Sequence, residues 1–250
     1  LKVATGDAGM EEVLDRHHLI ATYGENYGAE DCGVPLDGRA YVTTRQPVDL
    51  EQWPLVFTPE ARRFTTIGNY RQEGFDIEWQ GSVYRWSKHH EWERFLELPS
   101  KTEQEFELAL MHCEGEDRKR LQDAGWQLSS PAGMSLDPFG SYRRYIQSSR
   151  GEFTVAKDQN VRLRSGWFSE RDVCYLASGK PVVTQDTGFS NVLPTGEGLF
   201  AVSDVDEAAA AVEAINSDYR SHCEAAHTIA AEHFEASAVA RRLLEAVGLA

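Results

Sequence analysis

The apolar positions of this chain come in short runs, separated by polar and glycine-marked turns. Residues 18–23 (HLIATY) predict a short strand that ends at Gly24. A Gly- and Asp-rich loop follows over 25–39, and 41–44 predict a second strand. Pro47, Pro54 and Pro59 then punctuate a linker around Trp53, which places a boundary between 1–50 and 51–250. Beyond it, strand and helix patterns alternate. Strands are expected at 63–68, 106–111, 126–128, 153–156, 182–184 and 199–202. Helices are expected at 88–98, where Trp92, Phe95 and Leu96 share a face, and at 117–124, 137–149, 169–178 and 204–215, with two more at the C-terminus. Such alternation predicts an α/β fold, a Rossmann-like parallel sheet covered on both faces.

Composition adds bounds. At 250 residues the chain is long enough for a full core, and 41% hydrophobic with 26% charged residues is ordinary for a folded domain. The net charge of -15 argues against nucleic acid as a partner, and makes any local group of cations stand out. Cys32, Cys113, Cys174 and Cys223 form no C-x-x-C pair, so free thiols in a reducing, cytoplasmic setting are expected rather than a zinc site. No apolar run approaches the roughly 20 residues of a membrane helix. A start at Leu1 is expected of a fragment or processed chain.

The chemistry concentrates in RSGWFSERDVCYLASGKPVVTQDTGFS, residues 164–190. Gly166 permits a tight turn, and Ser169 suits the N-cap of the following helix. Helix N-termini at the carboxyl ends of parallel strands attract anions. With Lys157, Arg162, Arg164 and Arg171 nearby, this loop is expected to hold a phosphate or diphosphate. Trp167 is a candidate to stack on a nucleobase. After the next strand, Asp186, Thr187 and Ser190 offer hydrogen bonds to hydroxyls, and Gly188 allows close approach. Diphosphate beside hydroxyl recognition points to a nucleotide sugar. The adjacent pairs His17–His18 and His89–His90 project about 100° apart on a helix and do not suggest a metal site.

The stretch YLASGKPVVTQDTGFSNVLPTGEGLFAV (175–202) resembles the donor-binding domain of GT-B glycosyltransferases, in which a helix ends in A-x-G-x-P-V-V, a Gly loop follows, and a G-L-hydrophobic strand closes the unit. RSGWFS also resembles the H-C-G-W-x-S turn of plant-type members. IGNYRQEG (67–74) is similar to the first strand and loop of that domain, which implies Arg71 as a diphosphate ligand. The resemblance implies a metal-independent glycosyltransferase acting on a nucleoside-diphosphate sugar and an unknown acceptor, without a cofactor. It extends over about 64–249. The acid that many relatives place before the helix-ending Gly is here Cys174, which leaves Asp172 or Glu170 for the ribose, and the E-x7-E pattern is absent. Residues 1–50 are then the remnant of an acceptor domain, with Glu25 the candidate catalytic acid. A nucleotide-sugar-binding module without turnover and a sugar-nucleotide epimerase are the alternatives.

Overall fold

Six parallel strands form the centre of the computed structural model, which describes residues 1–249. In chain order the elements are α1 (Ala8–Asp15), β1 (Ile20–Thr22), β2 (Tyr41–Thr43), β3 (Arg63–Asn69), the hairpin β4 (Ile77–Trp79) and β5 (Ser82–Tyr84), α2 (His89–Arg94) and α3 (Leu98–Lys101). There follow β6 (Glu105–Met111), α4 (Gly115–Asp123), β7 (Gln127–Ser129), α5 (Arg143–Gln147), β8 (Gly151–Thr154), α6 (Asp158–Arg162) and α7 (Glu170–Ala177). Then come β9 (Val182–Gln185), β10 (Leu199–Val202), α8 (Val205–Ser217), α9 (Tyr219–His233) and α10 (Ala236–Ala246). The sheet order is β10-β9-β8-β3-β6-β7, every pair parallel. The chain starts at β3 in the middle, builds outward through β6 and β7, then returns to β8 and builds the other way. This is the Rossmann order, and its topological switch point lies between β3 and β8.

Every residue of β8 and β9 is buried, as strands covered on both faces require. Alternation along β9 sends Val182 into one core and Val183 into the other. The first core gathers Phe64, Trp92, Phe95, Phe106, Trp126 and Phe153. The second holds Phe168, Tyr175, Leu176, Phe189, Leu199 and Phe234. Each such side chain contributes about 1.5–3 kcal/mol by leaving water.

Three elements depart from the sequence pattern. The helix expected at 88–98 breaks at Phe95, where the backbone leaves helical geometry, and resumes as α3 with Pro99 in its first turn, where proline needs no N–H partner. The segment expected as helix from 137 begins instead as a π-turn over Pro138–Tyr142, because the Asp137 carboxylate accepts from the Ser141 N–H at 2.7 Å and lies against Gly140, where a Cβ would meet it at 2.0 Å. The strand expected at 153–156 is Gly151–Thr154.

Before the sheet, β1 and β2 form their own parallel pair, with Ile20 opposite Tyr41. This part docks on the loop between α6 and α7: Gly24 bridges Trp167, the Asn26 N–H donates to Ser165 O at 3.3 Å, and the Gly33 N–H to Leu163 O at 2.8 Å. Further along, Val48 bridges Glu235 beside α10. No helix among the described residues is long and apolar enough to cross a membrane.

Candidate functional site at the switch point

Open parallel sheets bind ligands outside the carboxyl ends of their strands, where strand order reverses. Arg171, in the first turn of α7, occupies that place from beneath. Its Nε donates to Glu152 Oε1 at 2.5 Å, Nη1 to Ile67 O at 2.8 Å, and Nη2 to Thr154 Oγ1 at 2.9 Å and Asp172 Oδ1 at 3.3 Å. Four of the five N–H donors of a guanidinium are thereby taken by β3, β8 and α7. The structure therefore puts Arg171, expected to hold a diphosphate, inside the fold as a clasp across the two central strands. Burial pushes the Glu152 carboxyl up, and Asp172 likewise; burial opposes charge on Arg171, but those two acids outweigh it and keep the guanidinium charged. Asp172, a candidate for the ribose, is 1% exposed and shares this cluster. Ser169 caps α7 as expected, its Oγ accepting from the Arg171 N–H at 3.2 Å.

Two lysines lie just outside the clasp. Lys88, which precedes α2, donates from Nζ to Val155 O at 2.6 Å, at the exit of β8. Lys157, two residues on, precedes α6 and makes no ion pair among the described residues; its Nζ sits 3.1 Å from the centroid of the Trp86 ring. Lys88 Nζ is 5.8 Å from the centroid of Trp167. Burial, followed by the neighbouring Arg171 charge, lowers the Lys88 pKa to about 7. Burial lowers that of Lys157 to about 8, against the raising effect of the Glu170 charge. Two cations close together with no carboxylate partner of their own form a site that gains from an incoming anion. The sequence pattern singled out Lys157 but not Lys88 or Trp86. The available signal was the spacing Trp86-Ser87-Lys88 before a helix, since positions two apart in extended chain share a side.

The glycine turns lie against a loop of this chain. Gly166 has φ 78°, and a Cβ there would lie 2.2 Å from the Asn26 N. Gly188 has φ 90°, and a Cβ would meet Arg164 O and Asn26 Nδ2, each at 2.9 Å. Both admit the N-terminal loop. Arg164 joins the halves: Nε donates to Asp31 Oδ2 at 2.7 Å and Nη1 to Asp186 Oδ2 at 3.0 Å. Asp186 also accepts from the Gly188 N–H at 2.9 Å and Ser190 Oγ at 3.0 Å, while the Thr187 hydroxyl donates to Trp167 O at 2.5 Å. The groups expected on phosphate and sugar in this turn are thus bonded within the joint. Glu25 pairs with Arg45 at 2.7 Å, both side chains largely buried. Arg71 forks onto Asp117, with Nη2 to Oδ1 at 2.8 Å, and touches His89 Nε2 at 3.1 Å, at the carboxyl edge on the β6 side.

The two tryptophans beside the lysines also wall a cavity of about 670 Å³ between the N-terminal part, the β4–β5 hairpin and α6. It takes in Gly24, Tyr27 and Tyr41 on one side and Trp86, Asn160 and Trp167 on the other.

No protein-family model matches the sequence, and no curated protein matches it. Solved structures do resemble it. Sucrose-phosphate synthase from Thermosynechococcus elongatus superposes with a TM-score of 0.57 at 12% identity, over 92% of this chain and 57% of that one. TarM gives 0.62 at 11% identity, over 96% and 45%. HepE from Anabaena, in complex with UDP and glucose, gives 0.57 at 14%, over 85% and 58%. This chain therefore spans about half the length of the solved chains it matches. The likeness shows the fold: these are GT-B glycosyltransferases, and the parallel sheet of this chain has the Rossmann-like fold of their domains.

Proposed function

We propose that this chain binds a nucleoside-diphosphate sugar over the carboxyl ends of β3 and β8, as part of a glycosyltransferase that needs no metal. The observation that carries this reading is the pair Lys88 and Lys157, held at the topological switch point without carboxylate partners. The fold supports it, as do the UDP and UDP-glucose complexes among the structures of similar fold.

In this reading the ammonium groups hold the diphosphate, with the Ser169 start of α7 behind them. They matter most as the sugar departs, when the diphosphate gains charge in a partly dry site. Burial, and for Lys88 also the Arg171 charge, loosens the hold of the lysines on their protons; a bound diphosphate strengthens it. Arg171 acts as a positioning residue, fixing β3 against β8 beneath the ligand. Trp167, between Lys88 and the cavity, is the candidate to lie against the nucleotide or its sugar.

Thermal shift with UDP, GDP, dTDP and CDP tests the binding half. A ligand at one hundred times its Kd stabilises the folded state by about 2.7 kcal/mol, so one of the four should raise Tm clearly, with or without a chelator. Release of nucleoside diphosphate from the matching sugar donor tests turnover. A binding module without turnover is the second reading, favoured by one observation: the candidate acid Glu25 is tied to Arg45. Stabilisation without release would select it.

A further inference from the structure

Beyond Thr154, β8 leaves the sheet, and its ladder with β9 ends at the pair Thr154–Thr184. Gln185, the next residue of β9, is 1% exposed, and its side chain continues the contact that the backbone gives up. Its Oε1 accepts from the Ala156 N–H at 3.2 Å, and its Nε2 donates to Glu91 Oε2 at 2.5 Å. Glu91, also buried, lies in the first turn of α2, where its own N–H donates to Lys88 O at 2.9 Å. Ala156 directly precedes Lys157 in the chain. One amide thus ties together the two backbone segments that carry the lysines.

The chemistry at both ends calls for such a group. A buried backbone N–H needs an acceptor, and a buried carboxylate needs a donor. A side-chain amide carries both on one rigid plane. Lys88 Nζ crosses the same gap to Val155 O at 2.6 Å, so the tie also sets where that ammonium ends. Two ammonium groups repel each other, and holding them at one place requires a fixed frame. A frame that is set before an anion arrives spares the ligand the cost of assembling it.

We propose that Gln185 is a positioning residue for the cation pair, fixing Lys88 and Lys157 at the spacing that a diphosphate bridges. Its role toward diphosphate rests on the donor reading above; the tie itself does not. Both ends of the Gln185 amide are taken by this chain, so the residue acts through the two lysines.

Lysine NMR titration of the ligand-free protein tests the tie. In Gln185→Met, water should reach both ammonium groups, and their pKa values should rise toward the ordinary lysine range by about half a pH unit or more. Unmoved lysines would overturn the proposal. Calorimetry tests the role. Gln185→Met should weaken nucleoside diphosphate at least about fivefold, the size of one such hydrogen bond, and leave the bare nucleoside unchanged. In a Lys157→Ala background the same change should lose less than about twofold, because no pair is left to space. A full loss there, or an equal loss for the nucleoside, would overturn the proposal. Changes at Glu91 test it with Gln185 intact. Glu91→Gln and Glu91→Leu both remove the charge, but only the first keeps an acceptor for Gln185 Nε2. Glu91→Gln should therefore bind the diphosphate at least about fivefold more tightly than Glu91→Leu; equal affinities would overturn the tie. Wild-type protein that binds no diphosphate, while its lysines still move in Gln185→Met, would uphold the tie and overturn the donor reading alone.

Discussion

Lys88 and Lys157 exchange protons well below the ordinary lysine range, because burial brings them to about 7 and about 8. Only the ammonium form holds an anion, and a bound diphosphate raises both values. Affinity for nucleoside diphosphate should therefore be full below about pH 7 and fall as pH rises through 8 and 9. Titrations in buffers of different ionisation enthalpy should show proton uptake on binding near pH 8. A flat profile from pH 7 to 9 would remove the lysines from the site. Arg171 predicts a different outcome. Arg171→Ala would leave Glu152 and Asp172 buried without their cation, a loss of about 3–5 kcal/mol. Urea unfolding should show that loss as a lower midpoint with little change of slope. The sequence displays Arg171 beside Ser169 as a phosphate ligand would appear. What it does not display is Glu152, 19 residues earlier on strand β8, facing the same guanidinium.

Among the elements, the parallel strands were legible from short apolar runs, as in Val182–Val183 of β9 and Leu199–Val202 of β10. The α7 cap was legible because Ser169 acts on its own neighbours. The β4–β5 hairpin was not: Ile77–Trp79 and Ser82–Tyr84 are three residues each, too short for a period to show. The glycine turns show a subtler limit. A positive φ at Gly166 or Gly188 serves equally to admit a ligand or another loop, and only the fold reveals Asn26 in the space. Gly166→Ala should destabilise the molecule by more than about 1 kcal/mol, since strain and contact add. Hydrogen exchange should quicken at the Asn26 and Gly33 amides, which bond the 163–165 backbone. Gly196→Ala, with φ 104° but open space around it, should leave those amides unchanged. Equal protection in both variants would contradict the joint.

On the scale of the molecule, a chain of net charge -15 places two lysines where the strand order of its sheet reverses. Arg171 braces the strands below them, and a cavity opens beside them. The central claim is that this place holds a diphosphate. Calorimetric titration of wild type and Lys157→Ala tests it most directly, using the nucleoside diphosphate that stabilises the protein best and its bare nucleoside. A charge-assisted contact contributes about 1.5–3 kcal/mol, which is roughly 10- to 150-fold in Kd. The account predicts that Lys157→Ala loses at least tenfold for the diphosphate and leaves the nucleoside unchanged. Undiminished diphosphate affinity in the variant, or an equal loss for both ligands, would contradict it.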